Sequence, residues 1–290
     1  MRNLFLICLL TFGVYAQGIE KSIIYQPQAQ DFTKFTLEEK FKLLSNMDFT
    51  QVILQWSSYG EYDFTAHHPQ WFEELFSLAE RYNIAIYMGL YADPKYFVEV
   101  QKKNFRAKKY LSHLLEANKK MIQNIHTKFR DKKMFKGWYI YDELNDVVWQ
   151  NKDNQMALAL YLAQINDILQ KKDRRAVYIS AYITGTLPPE EYLSFLHDVI
   201  PKRWEVLMQT GIGAGLISPK VCERYFLFFK ARFKRKWMPI IEIFSFKGKK
   251  IQQDFAMYKK QISCIQQDYT LFSWRYLFDT QFLEAYLKEK

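Results

Sequence analysis

GWYIYDE, residues 137–143, is an almost unbroken apolar run that ends in two acids. A strand with one wet face alternates apolar and polar residues. This one does not, so it reads as a strand buried on both faces, as in a parallel sheet. Seven other runs have the same character: SIIYQP from Ser22, VILQWSSYG from Val52, IAIYMGLYAD from Ile84, AVYISAYITG from Ala176, EVLMQTGIGAG from Glu205, PIIEIFSF from Pro239 and TLFSWRYLFD from Thr270.

Between these runs lie amphipathic stretches with helix punctuation. Thr36 and Glu39 have capping-box spacing ahead of FKLLSNM. Trp71, Leu75, Leu78 and Ala79 share one helical face, and Ser218-Pro219 and Leu187-Pro188-Pro189 mark two more helix starts. Six of the seven intervals between strand starts are about 29 to 39 residues, the length of a βα unit. The count of eight favours a single (β/α)8 barrel over a doubly wound open sheet. The one long interval, from Asp93 to Gly137, predicts that the loop after the third strand builds a wall of a cleft.

Of the 290 residues 49% are hydrophobic and 25% charged, with 10 Gly and 8 Pro, which excludes a disordered or collagenous chain. Three Cys are too few for a disulfide scaffold or a four-cysteine zinc site. Residues 1–16 read as an export signal: Arg2 is the positive start, LFLICLLTFGVY the apolar run, and Val14-Tyr15-Ala16 the processing site. Gln17 and Glu20-Lys21 arrive too early for a membrane span. The expected product is residues 17–290, about 274 residues with net charge +9, one domain, periplasmic or secreted, with no membrane contact after processing and a monomer. The cations cluster at 128–133, 171–175 and 230–236, each at the end of a helical pattern, where they suit the helix dipole. They do not form one nucleic-acid stripe; an acidic polysaccharide is the other partner they would attract.

In such a barrel the chemistry sits at the carboxyl ends of the strands. Those ends carry Gln26; Gln55, Trp56 and Tyr59; Tyr91 and Asp93; Asp142 and Glu143; Ser180 and Tyr182; Gln209; Glu242; and Trp274 with Arg275. Carboxylates, amides and rings suit a sugar, since amides pair with hydroxyls and rings stack on pyranose faces. The expected catalytic pair is Glu143 and Glu242. Gln26, Gln55, Trp56, Tyr59, Tyr91, Asp142, Tyr182, Gln209 and Trp274 are expected to bind substrate. Neighbours on a strand point opposite ways, so Asp142 is read as a hydrogen bonder behind Glu143. A structural ion pair with Arg275 is the alternative role for Glu242, and a core position the alternative for Trp56 and Trp274.

The five His fall in helical stretches or just ahead of one, without an HxH at a strand end, so neither a metal nor an organic cofactor is expected. Gly211, Gly213 and Gly215 lack phosphate-loop spacing and read as a tight βα turn. Cys222 and Cys264 lie on helices of adjacent units, either as a disulfide or as free thiols.

Taken in order, QWSSYG, GLYAD, GWYIYDELND, QTGIGAG and EIFSF resemble the bacterial family catalogued as domain of unknown function 4434, from about Ser22 to the last strand. The resemblance implies a glycosidase-like barrel laid out like the retaining glycosidases that carry Glu at the ends of strands four and seven, here Glu143 and Glu242. The sequence departs from that pattern at Asp142, where Asn is usual, and at Thr210, where the family commonly has an acid. The expectation is an exported glycoside hydrolase acting on an envelope or extracellular polysaccharide. The alternative is a non-catalytic barrel that binds a glycan or an envelope partner through the same cleft.

Overall fold

The apolar runs become the staves of a barrel. The computed structural model describes residues 19–32, 37–248, 250–263, 265 and 267–289. Its main strands are β1 (Lys21–Tyr25), β2 (Phe49–Leu54), β3 (Ala85–Gly89), β4 (Phe135–Asn145), β5 (Ala176–Tyr182), β6 (Glu205–Gln209), β7 (Trp237–Glu242) and β8 (Tyr269–Phe272). Each pairs in parallel with its sequence neighbours, and β1 pairs with both β2 and β8, so the sheet closes. This is a single (β/α)8 barrel. Closure leaves the barrel no edge strand, and helices outside with packed side chains inside cover both faces, which explains why none of the eight runs needed a polar face.

The outer layer is α1 (Leu37–Asn46), α2 (Pro69–Arg81), α3 (Ala107–Phe129), α4 (Lys152–Lys172), α5 (Pro189–Val199), α6 (Pro219–Arg232), α7 (Phe255–Ile262) and α8 (Thr280–Lys288). Prolines 189 and 219 open α5 and α6, where a missing N–H costs nothing, and the Ser218 hydroxyl accepts from Val221 N. Leu75, Leu78 and Ala79 are the buried face of α2. The expected capping box at Thr36, the leader at 1–16 and Cys264 lie outside the described residues. Among the described residues no helix is long and apolar enough to cross a membrane.

Additions to the frame gather at the carboxyl ends of the strands. Ser58–Tyr59 pairs with Tyr62–Asp63 and with Tyr91–Ala92 to cover the ends of β2 and β3. The long third interval supplies the short helix Tyr96–Val100 and then the 23 residues of α3. A hairpin, Phe244–Lys247 with Lys250–Gln253, follows β7.

The longest strand, β4, is interrupted where it matters. Ile140 lies opposite Ile179 and Leu144 opposite Ala181, so Tyr141, Asp142 and Glu143 together face the single residue Ser180. Such a bulge bends the strand and re-aims its side chains.

Candidate active site

The bulge turns Glu143 and Asp142 into different layers. The Gln209 amide at the end of β6 stands 3.4 Å from Glu143 Oε1. The Asp142 carboxylate instead accepts from the Tyr161 hydroxyl of α4 at 2.5 Å, and Tyr161 in turn accepts from Asn118 Nδ2 of α3 at 2.8 Å. Asn118 Oδ1 receives the Tyr91 N–H at 3.0 Å. The Tyr96 hydroxyl donates to the backbone oxygen of Glu143 at 3.1 Å. Strand, two helices and the third loop are thus tied to the bulge by side chains buried between barrel and helices. Asp142 belongs to that layer, as the hydrogen bonder behind Glu143 that strand alternation predicts, and not with the substrate-binding groups where it was also expected.

Glu242 closes β7 and is 2% exposed. Its Oε2 receives the N–H of Gly213 at 2.7 Å and of Ala214 at 3.3 Å, and the Thr210 hydroxyl lies 3.2 Å away. The GIGAG turn is therefore an anion cradle, turned on a carboxylate of its own chain. Glycine is needed at 213 because a β-carbon there would stand 2.4 Å from Phe244 O and 2.7 Å from Glu242 Cβ. Gln261 of α7 completes the support: its Oε1 sits 2.7 Å from the Thr210 hydroxyl and 3.2 Å from Glu242 N, and its amide donates to Glu242 O at 2.8 Å. Glu242 makes no ion pair among the described residues. Arg275, its alternative partner in the sequence reading, lies near Gln28, whose amide, turned over, accepts from it at 2.7 Å.

Electrostatics couple the two glutamates. Burial comes first and the charge of Glu242 second in raising Glu143 to about 8, while Gln209 opposes them. Burial raises Glu242 to about 7 against the Ala214, Gly213 and Thr210 donors, which favour its charge. The donors around Glu242 favour its charge, and that charge in turn favours the proton on Glu143. Asp142 is raised to about 7 by burial, against its bond from Tyr161.

Rings surround Glu143. Its charge, second to burial, raises the Tyr139 and Tyr141 hydroxyls, and raises that of Tyr182 to about 12. Trp56 lies 5.0 Å from Tyr59 and 5.7 Å from Tyr141, ring centre to ring centre; Tyr59 is 40% exposed and Trp56 donates to Pro27 O. Gln55 is buried, and its amide oxygen finds no partner among the described residues. Of the expected residues, then, Glu143, Glu242, Trp56, Tyr59, Tyr182 and Gln209 form one neighbourhood.

Others stand elsewhere. Tyr91 is at the rim, its hydroxyl raised by burial and then by Asp93 and Glu61. Gln26 lines a separate cavity of about 240 Å³ with Gln28, Asp31 and Arg275. Trp274 packs on Tyr25, Phe41 and Phe278, which makes it a core residue; it opens the short helix Trp274–Leu277 after β8 and lines the same cavity as Gln26. Tyr139 and Tyr141 were missed, although their positions four and two residues before Glu143 on one strand were a visible signal. Tyr96, Asn118, Tyr161 and Gln261 had no such signal, because helix pattern alone does not say which polar residue faces the sheet. No cluster of three or more His, Cys, Asp or Glu that would hold a metal ion occurs among the described residues.

The comparisons agree with this architecture. The chain belongs to the family described as Domain of unknown function (DUF4434), which it matches over residues 12–284. Uncharacterized protein YbcH of Escherichia coli (strain K12) is 28% identical over 212 residues, 71% of this chain and 69% of that one. A candidate alpha-L-fucosidase of Bacteroides thetaiotaomicron VPI-5482 superposes with TM-score 0.69 at 16% identity, over 93% of this chain and 92% of the other. The catalytic domain of Thermobifida fusca endoglucanase Cel5A gives 0.56 at 12%, over 88% and 77%. The likeness to these two is one of fold: a glycosidase-type barrel.

Proposed function

We propose that this member of the family is a glycoside hydrolase, exported and acting on a glycan of the cell envelope or its surroundings, with retention of configuration. The observation that carries the reading is the pairing of Glu143 and Glu242, two buried glutamates at the carboxyl ends of β4 and β7, one beside the Gln209 amide and the other cradled by Gly213 N, Ala214 N and the Thr210 hydroxyl, with the charge of Glu242 favouring the proton on Glu143. A cradled carboxylate beside a buried acid suits double displacement. Ionised Glu242 attacks the anomeric carbon while Glu143 gives its proton to the departing glycosidic oxygen. Water then attacks the glycosyl-enzyme ester, Glu143 takes the water's proton, and Glu242 leaves as a carboxylate. Trp56, Tyr59 and Tyr141 would stack on the sugar, with Gln209 and Tyr182 beside its hydroxyls. No step in this scheme calls on a cofactor.

The test is release of reducing ends from a panel of envelope and extracellular polysaccharides, followed by NMR of the first-formed anomer. Glu143→Gln and Glu242→Gln should each abolish turnover in a folded protein, and the product should keep the anomeric configuration of the substrate. Wild-type rates in both variants would overturn the assignment. Tight glycan binding without turnover by the wild type would instead support the non-catalytic alternative.

A further inference from the structure

Along the chain the cations form three separate clusters; the barrel brings those clusters to one end. Residues 128–136, 171–175 and 230–236 lead into β4, β5 and β7, so they lie at the amino ends of the strands, opposite Glu143 and Glu242. They hold fourteen Lys and Arg against two acids, Asp131 and Asp173, an excess of twelve that exceeds the net charge of +10 for the whole chain. Lys202 and Arg203, ahead of β6, fill the gap in the arc.

Some of these cations have structural duties. Arg175 donates to Phe135 O at 2.8 Å and to Arg130 O at 2.6 Å, and Arg235 to Ile200 O and Pro201 O at 2.7 and 2.9 Å, which ties neighbouring loops together. Arg130, Lys132, Lys133, Arg175 and Lys236 pair with Asp131, Glu73, Glu80, Asp173 and Glu205. Lys136, Lys171, Arg174, Lys202, Arg203, Lys230, Arg232 and Lys234 are exposed, with no ion pair among the described residues. At the centre of the arc a cavity of about 220 Å³ is lined by Arg174, Arg175 and Arg203 together with Asn166, Asp173 and Trp204. Arginine forks beside a hollow of that size suit a phosphate monoester or diester.

We propose that this end of the barrel docks on a bilayer surface rich in anionic phospholipid, the cavity at Arg174 and Arg203 taking a headgroup phosphate, so that Glu143 and Glu242 face away from the membrane. The unpaired cations are spread over four successive loops, a shape that meets a surface and not a single peptide or sugar chain. The binding is peripheral, and it differs from the expectation of no membrane contact drawn from the sequence. It stands apart from the hydrolase reading, because none of these residues belongs to the site.

Co-sedimentation with vesicles of equimolar phosphatidylcholine and phosphatidylglycerol, against phosphatidylcholine alone, tests it. Binding is expected only to the anionic vesicles and is lost near roughly 0.5 M salt, where the screening length falls to a few ångström. At about fivefold per cation, the variant Lys171→Glu/Arg174→Glu/Arg203→Glu/Arg232→Glu should bind at least about a hundredfold more weakly. Lys103→Glu/Lys108→Glu, at the catalytic end, should bind as wild type does. A melting temperature close to wild type in each variant confirms folding. Equal vesicle binding by the reversed variant and wild type, or binding indifferent to lipid charge as an apolar N-terminal segment would give, overturns the proposal. So does tighter binding to a soluble polyanion, whether duplex DNA or dextran sulfate, than to the anionic vesicles.

Discussion

The backbone N–H of Gly213 lies 2.7 Å from Glu242 Oε2, and the space a side chain at 213 would need is filled by Phe244 O and by Glu242 itself. A residue whose sequence context suggested only a turn is thus the nearest donor to the carboxylate proposed as nucleophile. Gly213→Ala should push that carboxylate away and lose the bond. The expected result is a fall in kcat of about tenfold or more with little change in KM, in a protein that still folds. Steady-state kinetics on a confirmed substrate measures it.

The two protonation states that the proposed chemistry needs set the shape of the pH–rate profile. Activity requires Glu242 charged and Glu143 protonated, so the rate should rise as pH passes about 7 and fall as it passes about 8. Thr210→Val removes a donor that favours charged Glu242. The rising limb should then move to higher pH and narrow the optimum, while the falling limb stays. A profile whose acid limb is unmoved in Thr210→Val would remove that threonine from the scheme.

Stability should run against activity. Glu143, Glu242 and Asp142 all have folded-state values above their ordinary ones, so the folded chain binds more protons than the unfolded chain at neutral pH. Their contribution is fully present below about pH 4 and is lost as pH rises through about 7 to 8. Glu143→Gln removes one such group. It should raise stability at pH 8 by on the order of 1–3 kcal/mol and leave it nearly unchanged at pH 4. Thermal denaturation at the two pH values checks the difference, whose absence would mean that Glu143 is not buried as a titrating acid.

Tyr161→Phe deletes the donor to buried Asp142 and the acceptor for Asn118. A loss of about 1–3 kcal/mol is expected from the stranded groups. Because the bulge that carries Glu143 is held through Asp142, kcat should fall as well. Tyr161→Phe/Asp142→Asn should recover part of the stability, since an amide tolerates burial without that donor better than a carboxylate does.

Tyr59 is exposed beside Trp56 and Tyr141. Tyr59→Ala should raise KM several-fold with a smaller effect on kcat, because stacking on a sugar face serves ground and transition states alike. Competition with short oligosaccharides of increasing length would locate the sugar unit it contacts.

The barrel was legible because the requirement behind it is local and repeated: each strand is buried on both faces, and eight such runs recur at one spacing. The two glutamates were legible because an acid at the end of an apolar run has few places to go. The surroundings were less so. Trp274 and Gln26 follow strands as Trp56 does, but the chain turns into the short helix Trp274–Leu277 after β8 and carries the tryptophan into the core. Alternation along the strand set Asp142 behind Glu143, but the bulge that joins them, and the Tyr161 and Asn118 partners behind it, have no mark in the sequence. Gln261, 19 residues beyond Glu242, meets it only because α7 folds back over β7.

That bulge leaves three residues of β4 sharing one counterpart on β5. The hydrogen-bonded ladder above and below it holds register without them, as a hem holds while the slack in the cloth is re-cut. Chemistry at this place can therefore be rewritten, an acid exchanged or silenced, without unpicking the cylinder. Relatives that keep the cylinder but not the acid are what such a construction would leave behind.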